Sequence, residues 1–94
     1  AAFPDIPTIA ESGVPGYSFD NWHAIILPAN TPRDIVQWLH TELAKAARHP
    51  DVIAKVAPGG VEIVAGTSEE LQSRSSSERE HWSKTIKALG IKID

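Results

Sequence analysis

The sequence predicts a small α/β arrangement, about three helices packed on a short sheet. Three observations lead there. Apolar residues at helical spacing run through Ile35, Leu39 and Leu43. A capping-box pattern, Thr67-Ser68-Glu69-Glu70, opens a second and longer run. Phe19–Leu27 and Val61–Ala65 are rich in aromatic and β-branched residues and read as strands.

Taken in order, the chain begins with a turn-rich stretch. Pro4, Pro7, Pro15 and Pro28 lie in its first third, where each interrupts regular structure. Thr8-Ile9-Ala10-Glu11 has capping-box spacing and Gly13 can stop what starts there, so a single helical turn is expected before the Val14-Pro15-Gly16 turn. In the first strand, Phe19, His23, Ile25 and Leu27 share one face, and Trp22, Ala24 and Ile26 the other. Both faces are partly apolar, which predicts cover on both sides.

Next comes the clearest helix. Thr31 is its N-cap candidate, Pro32 fits the first helical position and Asp34 places negative charge in the first turn. Val36, Ala46 and Ala47 flank its apolar stripe. His49-Pro50 ends it, and Pro50 can start a short helix with Val52, Ile53 and Val56 facing inward, closed by Gly59-Gly60. After the strand Val61–Ala65, the last helix runs from the Thr67 box through Leu89, with Gly90 as its stop. Its inward positions are Leu71, Ser75, Glu78, Trp82, Ile86 and Leu89, a stripe that is weak in the middle. Glu70–Arg74 and Glu80–Lys84 stand at i,i+4 and are expected ion pairs.

Composition narrows the chemistry. Ninety-four residues suit one small domain, and the net charge of -3 opposes a nucleic-acid surface, whose mark is a basic patch. All nine Lys and Arg lie beyond residue 31. With no cysteine, disulfides and thiolate catalysis are excluded. No apolar run approaches the ~20 residues of a membrane span, and no signal peptide is read. The absence of an initiator methionine before Ala1-Ala2 points to a cut piece of a longer product.

His23, His40, His49 and His81 form no H-x-x-x-H pair, so neither a metal nor another cofactor is expected. Ser73, Ser75, Ser76 and Ser77 lie mid-helix among charges with no nucleophile elbow, and no enzyme is expected. Trp38 and Trp82 sit at helical spacing and read as core or helix-packing residues. Trp22, between Asn21 and His23 where the proline-rich stretch becomes a strand, suits either a core position or a pocket wall.

One run of residues is more specific than any of these. Pro4-Asp5-Ile6-Pro7-Thr8-Ile9-Ala10-Glu11-Ser12-Gly13-Val14-Pro15-Gly16-Tyr17 resembles a signature of the substrate-binding receptors of tripartite tricarboxylate transporters, the Bug-type extracytoplasmic solute receptors. The resemblance continues in order through Trp22, Pro28, Thr31 and Pro32, then Ile35, Val36, Leu39, Glu42 and Leu43. It carries on through Pro50-Asp51-Val52, Thr67, Glu69 and Glu70, Trp82 and Gly90-Ile91-Lys92. His23 stands where that family more often has an aromatic residue.

The resemblance implies a fragment of a two-lobed, type II-like periplasmic binding protein. Residues 1–18 would be the lobe-crossing segment, with Gly16, Tyr17 and Ser18 at the hinge. Residues 19–94 would be the C-terminal part of the first lobe: strand, helix, short helix, strand, long helix. Asn21, Trp22 and His23 are the ligand-binding candidates. It further implies a periplasmic solute receptor that closes on a small carboxylate or related metabolite and delivers it to membrane permease subunits. Other partners would be the remaining N-terminal part of the same receptor, and no nucleic acid. The alternative is an isolated interaction or oligomerisation module, driven to self-associate by apolar faces cut from their partner lobe.

Overall fold

The computed structural model describes residues 3–92. Three α-helices follow a long non-helical stretch: α1 (Arg33–Ala47), α2 (Pro50–Val56) and α3 (Ser68–Ala88), with a single 3₁₀ turn at Ala57–Gly59.

The first feature is the turn around Thr8. The Glu11 carboxylate accepts the Thr8 backbone N–H at 2.8 Å, and the Glu11 N–H returns to the Thr8 hydroxyl at 3.2 Å. Ser12 N–H reaches the Thr8 carbonyl at 3.0 Å, and Gly13 breaks the turn at φ 116°. The sequence pattern at this point is realised within four residues.

Helix α1 starts one residue later than its pattern predicts. Pro32, not Thr31, takes the N-cap position, and no side chain caps it. The Thr31 hydroxyl instead donates to the Pro28 carbonyl at 2.7 Å, closing the preceding turn. Asp34 in the first turn and Lys45 in the last still complement the helix dipole. Pro50 opens α2 as expected, and His49 Nδ1 accepts the Asp51 N–H at 3.3 Å.

Helix α3 is closed at both ends by its own sequence. The Thr67 hydroxyl accepts the Glu70 N–H at 3.1 Å while the Glu70 carboxylate accepts the Thr67 N–H at 2.8 Å. That reciprocal box removes Glu70 from the pairing with Arg74 that spacing alone suggests; Glu80–Lys84 does form, at 2.7 Å. At the other end, Ile91 N–H bonds the Ile86 carbonyl at 3.1 Å and Gly90 N–H bonds that of Lys87 at 3.2 Å. These two bonds make a Schellman stop, which requires the left-handed conformation Gly90 adopts at φ 64°.

No strand or sheet is present among the described residues, which overturns the helices-on-a-sheet prediction. Phe19–Leu27 and Val61–Ala65 have the composition of strands, yet composition expresses only fitness for a half-buried pleated surface. A strand also needs a partner for its N–H and C=O groups. Among the described residues, no backbone hydrogen bond links Ser18–Leu27 to any other segment.

Burial is correspondingly thin. Among the described residues only Ala44 is buried; Val36, Leu39, Ala47 and Val56 are half-buried, and α1 contacts α2. His40 ties α1 to the approach to α3, with Nε2 3.0 Å from the Gly66 carbonyl oxygen. Trp38, expected in a core or at a helix contact, is 63% exposed on the outer face of α1. The chain exposes 8578 Å², whereas a compact chain of 10.2 kDa exposes about 5,300 Å². Its radius of gyration is 17.2 Å, against about 12 Å for a compact domain of this length.

Two outcomes follow from these local closures. Nothing lies within 4 Å of the space a Cβ would fill at Gly90, so Gly90→Ala costs backbone strain alone. A loss of about 1 kcal/mol at the C-terminus of α3 is expected, read as faster amide exchange at Gly90 and Ile91. The Thr8 backbone N–H, followed by the Thr8 hydroxyl, holds the Glu11 carboxyl below its ordinary 4.5. A lowered value stabilises the turn above that ordinary value, and the contribution is lost as pH falls through Glu11's own, lower one. A carbon-13 titration of Glu11 should therefore give a midpoint below 4.5, moving only part-way back in Thr8→Ala because the backbone donor stays.

Candidate functional site

Residues 18–22 lie against one face of α3, and side chains alone hold them there. Phe19 meets the Trp82 ring edge-on, centroids 5.7 Å apart. Asp20 accepts from Arg74 Nη2 at 2.6 Å. Trp22 donates its indole N–H to Glu78 Oε2 at 2.9 Å, and Arg74 Nε donates to the other oxygen of the same carboxylate at 3.1 Å. The Arg74 guanidinium also stands over the Trp22 ring, 5.5 Å from its centroid. One cation thus serves two carboxylates and an aromatic face. The hydrogen bonds that Arg74 donates to Asp20 and then to Glu78 raise its pKa further.

Helical spacing puts the α3 members in line. Leu71, Arg74, Glu78 and Thr85 are the half-buried residues of α3, and Trp82 is 38% exposed beside them. The sequence marked Glu78 and Trp82 as inward positions, and Glu78 meets a polar partner there; Ser75, Ile86 and Leu89, marked with them, are exposed. Arg74 and Asp20 carried no such mark. Two charges 54 residues apart have no sequence periodicity to connect them.

The three ligand-binding candidates, though consecutive, are not equivalent. Trp22 is half-buried and its polar group is engaged by Glu78. Asn21 and His23 are both exposed, and among the described residues neither makes a hydrogen bond. Of the hinge candidates, Gly16 has φ 80° with open space around it, and Tyr17 N–H closes a turn on the Val14 carbonyl at 3.1 Å. Ser18 lines a cleft of about 260 Å³ with Phe19, Asp20, Ser77, Glu78, His81 and Trp82.

A wider open cleft of about 430 Å³ lies where residues 25–31 pass the first turns of α1 and α3. Its walls are uncharged: Ile25, Ile26, Leu27 and Val36 beside Asn30, Thr31, Ser68, Gln72 and Ser75. The smaller cleft has the opposite difficulty for an anion, since Asp20 and Glu78 outnumber the one Arg74 charge beside them. Neither cleft is lined, among the described residues, by a Lys or Arg free to meet a carboxylate. Among the described residues, no three His, Asp or Glu side chains converge as a metal site, and no helix is long and apolar enough to cross a membrane.

Comparison with known proteins places these features. Residues 1–91 match the family described as "Tripartite tricarboxylate transporter family receptor". The "UPF0065 protein in tcbD-tcbE intergenic region" of Pseudomonas sp. strain P51 is 38% identical over 84 residues, 88% of this chain and 25% of that protein. A UPF0065 protein from the TAR-I ttuE-ttuC' intergenic region of Agrobacterium vitis is 33% identical over 90 residues, 93% of this chain and 26% of that protein. Protein BugT of Bordetella pertussis is 26% identical over 91 residues, 97% of this chain and 28% of that protein. The chain therefore spans about a quarter of the length of these relatives. No solved structure matches it. A match over nearly every residue, from the Thr8 turn to the Gly90 stop, establishes that the chain belongs to the tripartite tricarboxylate transporter receptor family.

Proposed function

We propose that this chain serves as the C-terminal portion of a periplasmic receptor that captures a small carboxylate between two lobes and presents it to membrane permease subunits. The observation that carries the reading is the family match over residues 1–91. In this reading residues 1–18 are the lobe-crossing segment, bending at Gly16, Tyr17 and Ser18. Residues 19–94 belong to the first lobe, and the Asn21–Trp22–His23 stretch borders the ligand. Lobe closure about a few backbone positions is a common way for such receptors to trap a solute.

Charge supports a division of labour within the receptor. Residues 1–31 hold Asp5, Glu11 and Asp20 but no Lys or Arg, and the Arg74 charge is already shared between two carboxylates. In this reading the ligand's negative charge is met by groups supplied outside this chain, with neutral donors such as Asn21 contributing from within it.

The exposed apolar surface also favours a second reading, self-association of the isolated chain. Ile25 is 68% exposed, Ile26 81% and Val64 69%. Yet the surface in excess of a compact chain, about 3,300 Å², is several times the ~800 Å² per partner of a standard interface. Continuous polypeptide folding over several faces covers such an area better than one copy docking on one face.

Calorimetry of the full-length receptor with citrate as the tricarboxylate probe, and succinate beside it, tests the first reading. Saturable 1:1 binding of either acid is the expected result, and absence of heat with both overturns it. Light scattering tests the second. The isolated chain is expected to form polydisperse assemblies, whereas a discrete dimer with the full-length receptor's thermal stability would favour the interaction module.

A further inference from the structure

We propose that Trp22 is a positioning residue: gripped from behind by Glu78 and Arg74, it fixes the backbone so that Asn21 and His23 face the ligand. The inference rests on the reading of residues 21–23 as ligand-bordering and assigns them different tasks. Three observations carry it. The indole N–H, Trp22's single polar group, is spent on Glu78 at 2.9 Å. The Arg74 guanidinium stands over the ring, 5.5 Å from its centroid, leaving that part of the ring unavailable to a ligand. Asn21 and His23, on either side, are exposed and carry free polar groups.

The grip acts where the chain has no backbone tie. Ser18–Leu27 has no backbone hydrogen bond to another segment among the described residues, so side chains alone set where Asn21 and His23 point. Arg74 links the two anchors, since it binds Glu78 at 3.1 Å and Asp20 at 2.6 Å. Asp20 and Trp22 thereby bracket Asn21, fixing the residue between them. A ligand that lay against Trp22 itself would have to displace a charge-assisted hydrogen bond and a stacked cation. A ligand meeting Asn21 and His23 displaces neither.

The test uses the full-length receptor, with far-UV circular dichroism confirming that each variant folds. Trp22→Phe and Glu78→Ala delete the same hydrogen bond from opposite ends, the second also removing one carboxylate partner of Arg74. Each is expected to weaken citrate binding about fivefold, and the double variant no further, because both changes release one grip. Glu78→Gln keeps an oxygen for the indole and is expected to restore most of the affinity. Additive losses would mean that Trp22 touches the ligand directly and would overturn the proposal, as would unchanged affinity in both single variants. A second measurement needs no ligand. Exchange of the Trp22 indole N–H, observed by nitrogen-15 NMR, is expected to speed up about tenfold in Glu78→Ala and to stay slow in Glu78→Gln. Equal rates in wild type and Glu78→Ala overturn the grip even if citrate does not bind, an outcome that on its own counts only against the carboxylate reading.

Discussion

The Arg74 guanidinium lies between the carboxylates of Asp20 and Glu78 and over the indole of Trp22, and the placement of the chain before α1 depends on that arrangement. An isolated surface ion pair contributes little, because water competes for both charges. Here the cation has three partners on two segments, and Glu78 uses its second oxygen to hold the indole. Each contact limits the freedom that the next would otherwise have to remove. The edge-on packing of Phe19 on Trp82 continues the attachment along α3. Without these side-chain bonds, nothing among the described backbone atoms would hold residues 18–22 to the helix.

What could be read from the sequence divides along the same line between local and distant partners. The Thr8 turn, the break at His49-Pro50, the Thr67 box and the Gly90 stop all complete their bonds within a few residues, and each forms where its residues predict. The sheet required partners elsewhere in space. Val, Ile and Phe advertise a strand equally whether or not a neighbour exists, so Phe19–Leu27 and Val61–Ala65 misled. Trp38 misled for a related reason: its spacing from Ile35 is helical, but among the described residues no second element covers it and it is left exposed. The site was half legible. Trp22 and Glu78 could be singled out one at a time, whereas their bond joins residues 56 apart and leaves no trace in periodicity.

Competition for a side chain explains the one local pairing that failed. Glu70 sits at the right spacing for Arg74, and also at the third position of the α3 cap. The cap offers it a backbone N–H at a helix terminus, where the dipole favours negative charge. Arg74, released from Glu70, is free to turn toward Glu78 and Asp20. The choice made in the first turn of α3 therefore reaches the candidate site one turn further on.

The self-contained ends of α3 also bear on the order in which the molecule assembles. A helix whose cap and stop both close over short loops can form in about a microsecond, well before distant segments meet. The face bearing Arg74, Glu78 and Trp82 then exists as a prepared track before residues 19–22 find it. The contacts that bring residues 19–22 to that face close loops of 54 and 56 residues, and salt weakens the attraction between their opposite charges. Assembly of this region is in that sense closer to ligand binding than to collapse, with the chain's own early residues as the ligand.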